Sequence, residues 1–200
     1  MHVCYNNTFY LDQADGSYSS AKIVLEKALA MLPKVHSAVD FGCGVGTWLA
    51  ALQEMGVKEI KGYDGPWVNK NMLMIPPEYF IEVELDKRVF VDKKYDVAIS
   101  LEVAEHLPPD SAELFIESIV QASDIILFAA AIPFQGGTNH INEQWPDYWS
   151  GIFSKNGYIA VDCLREQIWN EANVEWWYKQ NIIVFIKQER RDIIKKLGVG

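Results

Sequence analysis

The sequence predicts an α/β protein: a doubly wound, mostly parallel sheet with helices on both faces. Three observations carry this. Short apolar runs alternate with helix-length amphipathic stretches along most of the chain. A glycine-rich turn at residues 39–48 (VDFGCGVGTW) links the first run to the helix after it. Acidic residues stand at or near predicted strand ends, at Asp40, Asp64, Glu84 and Glu102, and ligands of such sheets sit beyond the carboxyl ends of the strands.

The elements follow in order. Residues 19–32 form an amphipathic helix closed by Pro33, which cannot continue it. Residues 37–41 make the first strand, 47–55 a helix, and 59–63 a second strand ending in Asp64. A loop rich in Pro and Asn leads to a third strand at 80–85. Residues 95–101 (YDVAISL) are a buried strand, followed by a turn and a helix over 110–121. The apolar run within 124–131 is a central strand, and 142–156 is helical around Pro146. Two late strands, 157–164 and 181–187, bring the number to seven. Only some sixteen residues without a strong helix pattern join them, so they are expected to pair antiparallel at one edge.

Length and composition bound the rest. Two hundred residues fit one domain over 1–200, with an arm at 1–18 and a tail at 188–200. A 50% hydrophobic and 22% charged composition is that of a globular chain, and no apolar run is long enough to span a membrane. The first residues lack a basic stretch followed by an apolar one, so no secretory signal is read there. Cys4, Cys43 and Cys163 are scattered without zinc spacing, which fits a reducing cytoplasm. A net charge of −9 argues against a generic nucleic-acid binder, because phosphate contacts demand a basic footprint.

The turn itself suggests a ligand. Glycine permits positive φ and close backbone approach, and three at alternate positions weaken the local structure unless something needs them. The spacing is D-x-G-x-G-x-G, with Thr47 where a dinucleotide fingerprint has its third glycine, which disfavours a nicotinamide enzyme. Asp64 lies about twenty residues beyond, where an acid can accept hydrogen bonds from both ribose hydroxyls. The plainer alternative is a helix-starting turn and a surface aspartate.

Residues 40–46, Gly62-Tyr63-Asp64 and residues 95–106 (YDVAISLEVAEH) together resemble class I S-adenosylmethionine (SAM)-dependent methyltransferases. The resemblance runs from about Ser20 to Lys187, and residues 129–149 resemble a bacterial and phage subgroup of unassigned substrate. It implies a seven-stranded Rossmann-like sheet with one antiparallel edge strand. It also implies SAM as cofactor, with Asp40, Gly42, Cys43, Gly44 and Gly46 along its methionine part. Asp64 and Gly65 would hold the ribose, Glu84 and the Leu85 backbone the adenine, and Leu101 and Glu102 would border the methionine. Tyr18 is read either as a lid or as a surface residue before the first helix.

Methyl transfer to a hydroxyl needs alignment and a group that takes the proton or lowers its pKa. Glu102, Glu105 and His106 are spaced so that a helical turn brings them together, with His140 downstream. They can act as general base (His106, His140, Glu105), as a divalent site for Mg²⁺ or Mn²⁺ (all four), or as pocket structure. The E-x-x-E-H region is similar to that of small-RNA 2′-O-methyltransferases and of ubiquinone-pathway O-methyltransferases, although the RNA enzymes' distal histidine lies farther off in sequence. The loop at 135–140 (QGGTNH) can reach over a polyol, and Trp145, Tyr148, Trp149, Trp169, Trp176 and Trp177 offer stacking faces or plain packing. The expected activity is O-methylation of a small-molecule or carbohydrate-type acceptor. The alternatives are 2′-O-ribose methylation of RNA and an inactive SAM-fold binding protein.

Overall fold

A computed structural model describes residues 7–198, with side chains from Gly16 onward. Seven strands form one sheet: β1 (Ser37–Phe41), β2 (Glu59–Asp64), β3 (Phe80–Glu82), β4 (Val97–Leu101), β5 (Ile125–Ala129), β6 (Tyr158–Val161) and β7 (Ile183–Lys187). Their order across the sheet is β3-β2-β1-β4-β5-β7-β6. β1 to β5 run parallel to one another, and β7 runs antiparallel to both β5 and β6. The antiparallel strand therefore lies one place in from the edge. The chain winds outward from β1 through β2 to β3, then returns to place β4 on the other side of β1. That reversal opens a crevice between the carboxyl ends of β1 and β4.

Alternate residues of each strand feed opposite cores, as the period of two requires. On one face Ala38, Ile99 and Leu127 meet α1 (Asn7–Met31), α2 (Thr47–Glu54), α5 (Arg165–Ile168), α6 (Trp176–Asn181) and α7 (Arg191–Lys196). On the other, Val39, Ala98 and Phe128 meet α3 (Ala112–Ala122) and α4 (Pro146–Lys155). Phe153 stacks on Phe185 at 3.8 Å and meets Phe128 edge-on at 5.3 Å. Each such ring contributes about 1.5–3 kcal/mol through burial, which fixes β5 and β7 side by side.

Some boundaries move for local reasons. α1 starts at Asn7, so residues 7–18 are helical and continuous with the expected helix. Residues 191–196 of the expected tail form α7, anchored by buried Ile193. α4 starts at Pro146, not at residue 142, because proline lacks an N–H and suits the first turn of a helix. The third strand stops at Glu82, short of Glu84 and Leu85. Cys4 lies outside the described residues.

Candidate active site

The glycine turn leaves β1 with φ of +88° at Gly42, +54° at Gly44 and +86° at Gly46, conformations that disfavour side chains. The three have different neighbours. A Cβ on Gly42 would collide with Val103, and one on Gly46 would come within 2.7 Å of Ile75. A Cβ on Gly44 would meet nothing within 4 Å, so this is the turn's open side. Gly42 and Cys43 donate their N–H groups to the Tyr63 carbonyl at 2.8 and 3.2 Å, tying the turn to β2.

Asp64 completes that tie. Its carboxylate accepts from the N–H of Gly44 and of Gly65, both at 2.6 Å, and from the indole of Trp67. Burial raises its pKa, against these donors. Asp40 is also buried, and its pKa is pushed well up by burial and then by Asp64. Cys43 is likewise buried, and its Sγ would sit 2.6 Å from a Cβ on Gly62, which explains glycine there. The Trp67 ring lies against Gly65 and over the approach to Asp64.

A cavity of ≈ 150 Å³ opens beside the turn. It is lined by Gly42, Cys43, Gly44 and Val45 of the turn, by Thr47 and Trp48 of α2, by Leu101 and Glu102 at the end of β4, and by Ser17, Trp177 and Tyr178. Asp40, Gly46, Asp64, Gly65, Glu84 and Leu85 are not among its lining residues. Glu84 is exposed and paired with Lys87, and Leu85 is packed in the core beside Tyr63. Tyr18 is no lid: its hydroxyl donates to Glu54 on α2, and Lys22 lies over its ring. Successive helical residues point about 100° apart, so Ser17 reaches the cavity, bonded to the Tyr178 hydroxyl at 3.2 Å, and Tyr18 does not.

Glu105, His106 and His140 converge, with one ligand atom from each lying within 4.8 Å of the others. Glu102 does not join them, contrary to the helical spacing argument. The helical turn covers only Ala104–His106, and Glu102 precedes it with φ +58°. Its carboxylate instead accepts from Asn181 Nδ2 and Gln135 Nε2, each at 2.9 Å.

Glu105 is fully buried, and neither carboxylate oxygen has a well-formed hydrogen bond, although its own N–H and that of Ala131 lie near. Burial, and then Glu102, push its pKa well up. His106 Nδ1 is buried without a partner. Burial and the neighbouring His140 lower the His106 pKa to about 4, against a hydrogen bond with the Asn139 backbone. The two imidazoles meet edge to face at 4.8 Å.

The loop after β5 is organised by a residue the sequence reading missed. Glu143 accepts from Phe134 N at 2.9 Å, Gly136 N at 3.0 Å and His140 Nδ1 at 3.0 Å. His140, the first cause, holds its carboxyl below the usual range. The N–H groups of Ile141 and Asn142 bond to the Glu105 carbonyl, docking the loop on the cluster. Trp67, Ser17 and Glu143 carry no motif. Trp67 follows the end of β2, Ser17 sits within α1, and Glu143 lies in the loop between β5 and α4.

A family described as a methyltransferase domain matches residues 14–122, more than half of the chain. The chain belongs to this methyltransferase family. No curated protein sequence matches it. Among solved structures, DesVI of Streptomyces venezuelae superposes with a TM-score of 0.66 at 10% identity, covering 90% of this chain and 96% of DesVI. The magnesium protoporphyrin IX methyltransferase of Synechocystis, with bound S-adenosylhomocysteine (SAH), gives 0.63 at 17% identity, covering 94% and 90%. CalS10, a SAM-bound amino pentose methyltransferase of Micromonospora echinaspora, gives 0.64 at 10%, covering 94% and 100%. At these identities the likeness is one of fold. In this methyltransferase, the matched region contains the glycine turn, Asp64 and Glu102–His106, and ends before the loop carrying His140.

Proposed function

We propose that the protein transfers a methyl group from SAM to a hydroxyl of a small-molecule or carbohydrate-type acceptor. One observation carries this reading: Glu102 lines the cavity at the glycine turn and is also within electrostatic reach of Glu105 and His140 of the cluster. Family membership supports the methyl donor, as do the neighbours printed as holding SAM or SAH. One neighbour, the mitomycin 7-O-methyltransferase MmcR, is named for oxygen chemistry.

The donor fits the residues present. Gly42 to Gly44 and Leu101–Glu102 would hold its amino-acid end, since Gly44 leaves open space and the cavity is lined there. Ligand pockets run to about 300–1,000 Å³, so ≈ 150 Å³ accommodates only part of a nucleotide. In this reading, Trp67 moves off Gly65 and Asp64 to admit the ribose. When bound, SAM supplies a methyl group activated on a sulfonium. Trp177 and Tyr178 exclude water from the cavity, and the glycine turn and Glu102 set alignment. His106 is neutral at neutral pH, so its imidazole is available as the base that takes the acceptor's hydroxyl proton. The Glu143 carboxylate at His140 Nδ1 favours the tautomer with the Nε2 lone pair free.

A second reading rests on the same cluster: a divalent ion held by Glu105, His106 and His140. Unpartnered oxygen and imidazole donors this close suit Mg²⁺ or Mn²⁺. There the ion would neutralise Glu105 and lower the hydroxyl's pKa.

Incubation with methyl-labelled SAM and a hydroxylated acceptor library, with and without EDTA, tests both. The expected result is label on oxygen in the wild type and a loss of about 10²-fold or more in His106→Ala. Full activity in EDTA rules out an essential ion. Label found solely on nitrogen or carbon, or no SAH binding by calorimetry, overturns the proposal.

A further inference from the structure

Glu102 stands where the end of β4, the loop after β5 and the end of α6 meet, and its side chain is tied to both of the others. Its N–H bonds to the Ala129 carbonyl at 2.8 Å, so its backbone is fixed to β5 although φ is +58°. One carboxylate oxygen accepts from Asn181 Nδ2 of α6 and the other from Gln135 Nε2 of the loop, each at 2.9 Å. The ring closes on itself: Gln135 Oε1 accepts from Asn181 Nδ2 at 2.8 Å and from Gln180 Nε2 at 3.1 Å. A non-glycine residue in the left-handed region costs backbone energy and persists only where its surroundings hold it. The two amides supply that hold.

Each member of the ring leads to a different part of the site. Glu102 lines the cavity at the glycine turn, as do Trp177 and Tyr178, which precede Asn181 on α6. Gln135 lies between Phe134 and Gly136, whose N–H groups both bond to the Glu143 carboxylate. That carboxylate also holds His140 Nδ1. Hydrogen bonds and adjacent residues thus join the cavity to His140 without a break. Contact alone is not coupling; a ligand must prefer one arrangement over another. A donor that touches Glu102 has that preference, because it meets the carboxylate only where the amides place it. By linkage, donor bound there stabilises the loop, and the ordered loop stabilises bound donor.

We propose that Gln135 and Asn181 are positioning residues of the methyl transfer: by clamping Glu102 they make the loop that carries His140 respond to the methyl donor. Both act through Glu102, and the acceptor side is set once the donor is bound. This rests on the methyltransferase reading and adds to it an order of assembly.

Hydrogen exchange at the Phe134, Gly136, Ile141 and Asn142 amides, with and without saturating SAH, tests it. In the wild type, SAH is expected to raise their protection about fivefold or more. Gln135→Met and Asn181→Leu keep the side-chain size and remove the amide. Both are expected to bind SAH and to lose that increase, with SAH affinity lowered by no more than the same factor. A merely structural role would lower protection equally with and without SAH and leave the increase intact. Wild-type amides indifferent to SAH overturn the proposal, as does an increase retained in Gln135→Met or SAH binding abolished in it. Gln135 is only partly buried, so that variant decides even where Asn181→Leu does not fold. Failure of the wild type to bind SAH by calorimetry would instead refute the methyltransferase reading, so the two failures are distinguishable.

Discussion

Glu105 places a carboxylate where neither water nor a well-aligned donor reaches it, and the resulting tension is between stability and chemistry. Its folded pKa is raised, by burial first, so folding favours the protonated form. That stability is present below the unfolded value and is lost as pH rises through the folded one. Glu105→Gln has no such dependence. Its melting temperature relative to wild type is therefore expected to rise from pH 5 to pH 8, measured by melting at both pH values without added metal. A constant difference would place the ionised form in a compensated site. His106 has the opposite sign: its folded pKa is lowered to about 4. It contributes stability above the unfolded value, lost as pH falls from about 6.5 toward 4. At this scale, Glu105, His106 and His140 were legible from residue type and spacing. Glu102's departure was not, because a single φ of +58° turned it toward Asn181 and Gln135.

The loop between β5 and α4 behaves as an element although it is neither helix nor strand. Three groups converge on the Glu143 carboxylate, and two N–H groups dock it on the Glu105 carbonyl. Positive φ at Phe134, Gly136, Gly137 and Asn139 makes the path dependent on those ties. Glu143→Ala is expected to lower hydrogen-exchange protection at the Phe134 and Gly136 amides by roughly tenfold, with β4 and β5 unaffected. Unchanged protection would mean that the loop is held by its docking alone. The strands and α2 were readable from periodicity and turn residues. The ordering of this loop was not, since Glu143 looks like any polar loop residue until the fold brings Phe134, Gly136 and His140 around it.

Across the whole molecule, the winding that reverses between β1 and β4 creates the crevice, and the two cores hold its walls. A donor that binds only the folded chain must raise its stability. SAH at about one hundred times its dissociation constant is expected to add ~2.7 kcal/mol, or roughly 5–10 °C in melting temperature for a chain of this size. No shift at saturating SAH would contradict the proposed cofactor. Sequence alone determined the α/β class, the strand positions and the glycine turn, because these depend on neighbours a few residues apart. It also supplied Asp64, whose place follows from the strand after the turn. Tertiary structure alone decided that Asp64 is engaged by Gly44, Gly65 and Trp67, that Ser17 rather than Tyr18 faces the cavity, and that Glu102 stands apart from Glu105 and His106. Those facts depend on side-chain direction and on contacts between elements distant in sequence. Periodicity and spacing encode neither.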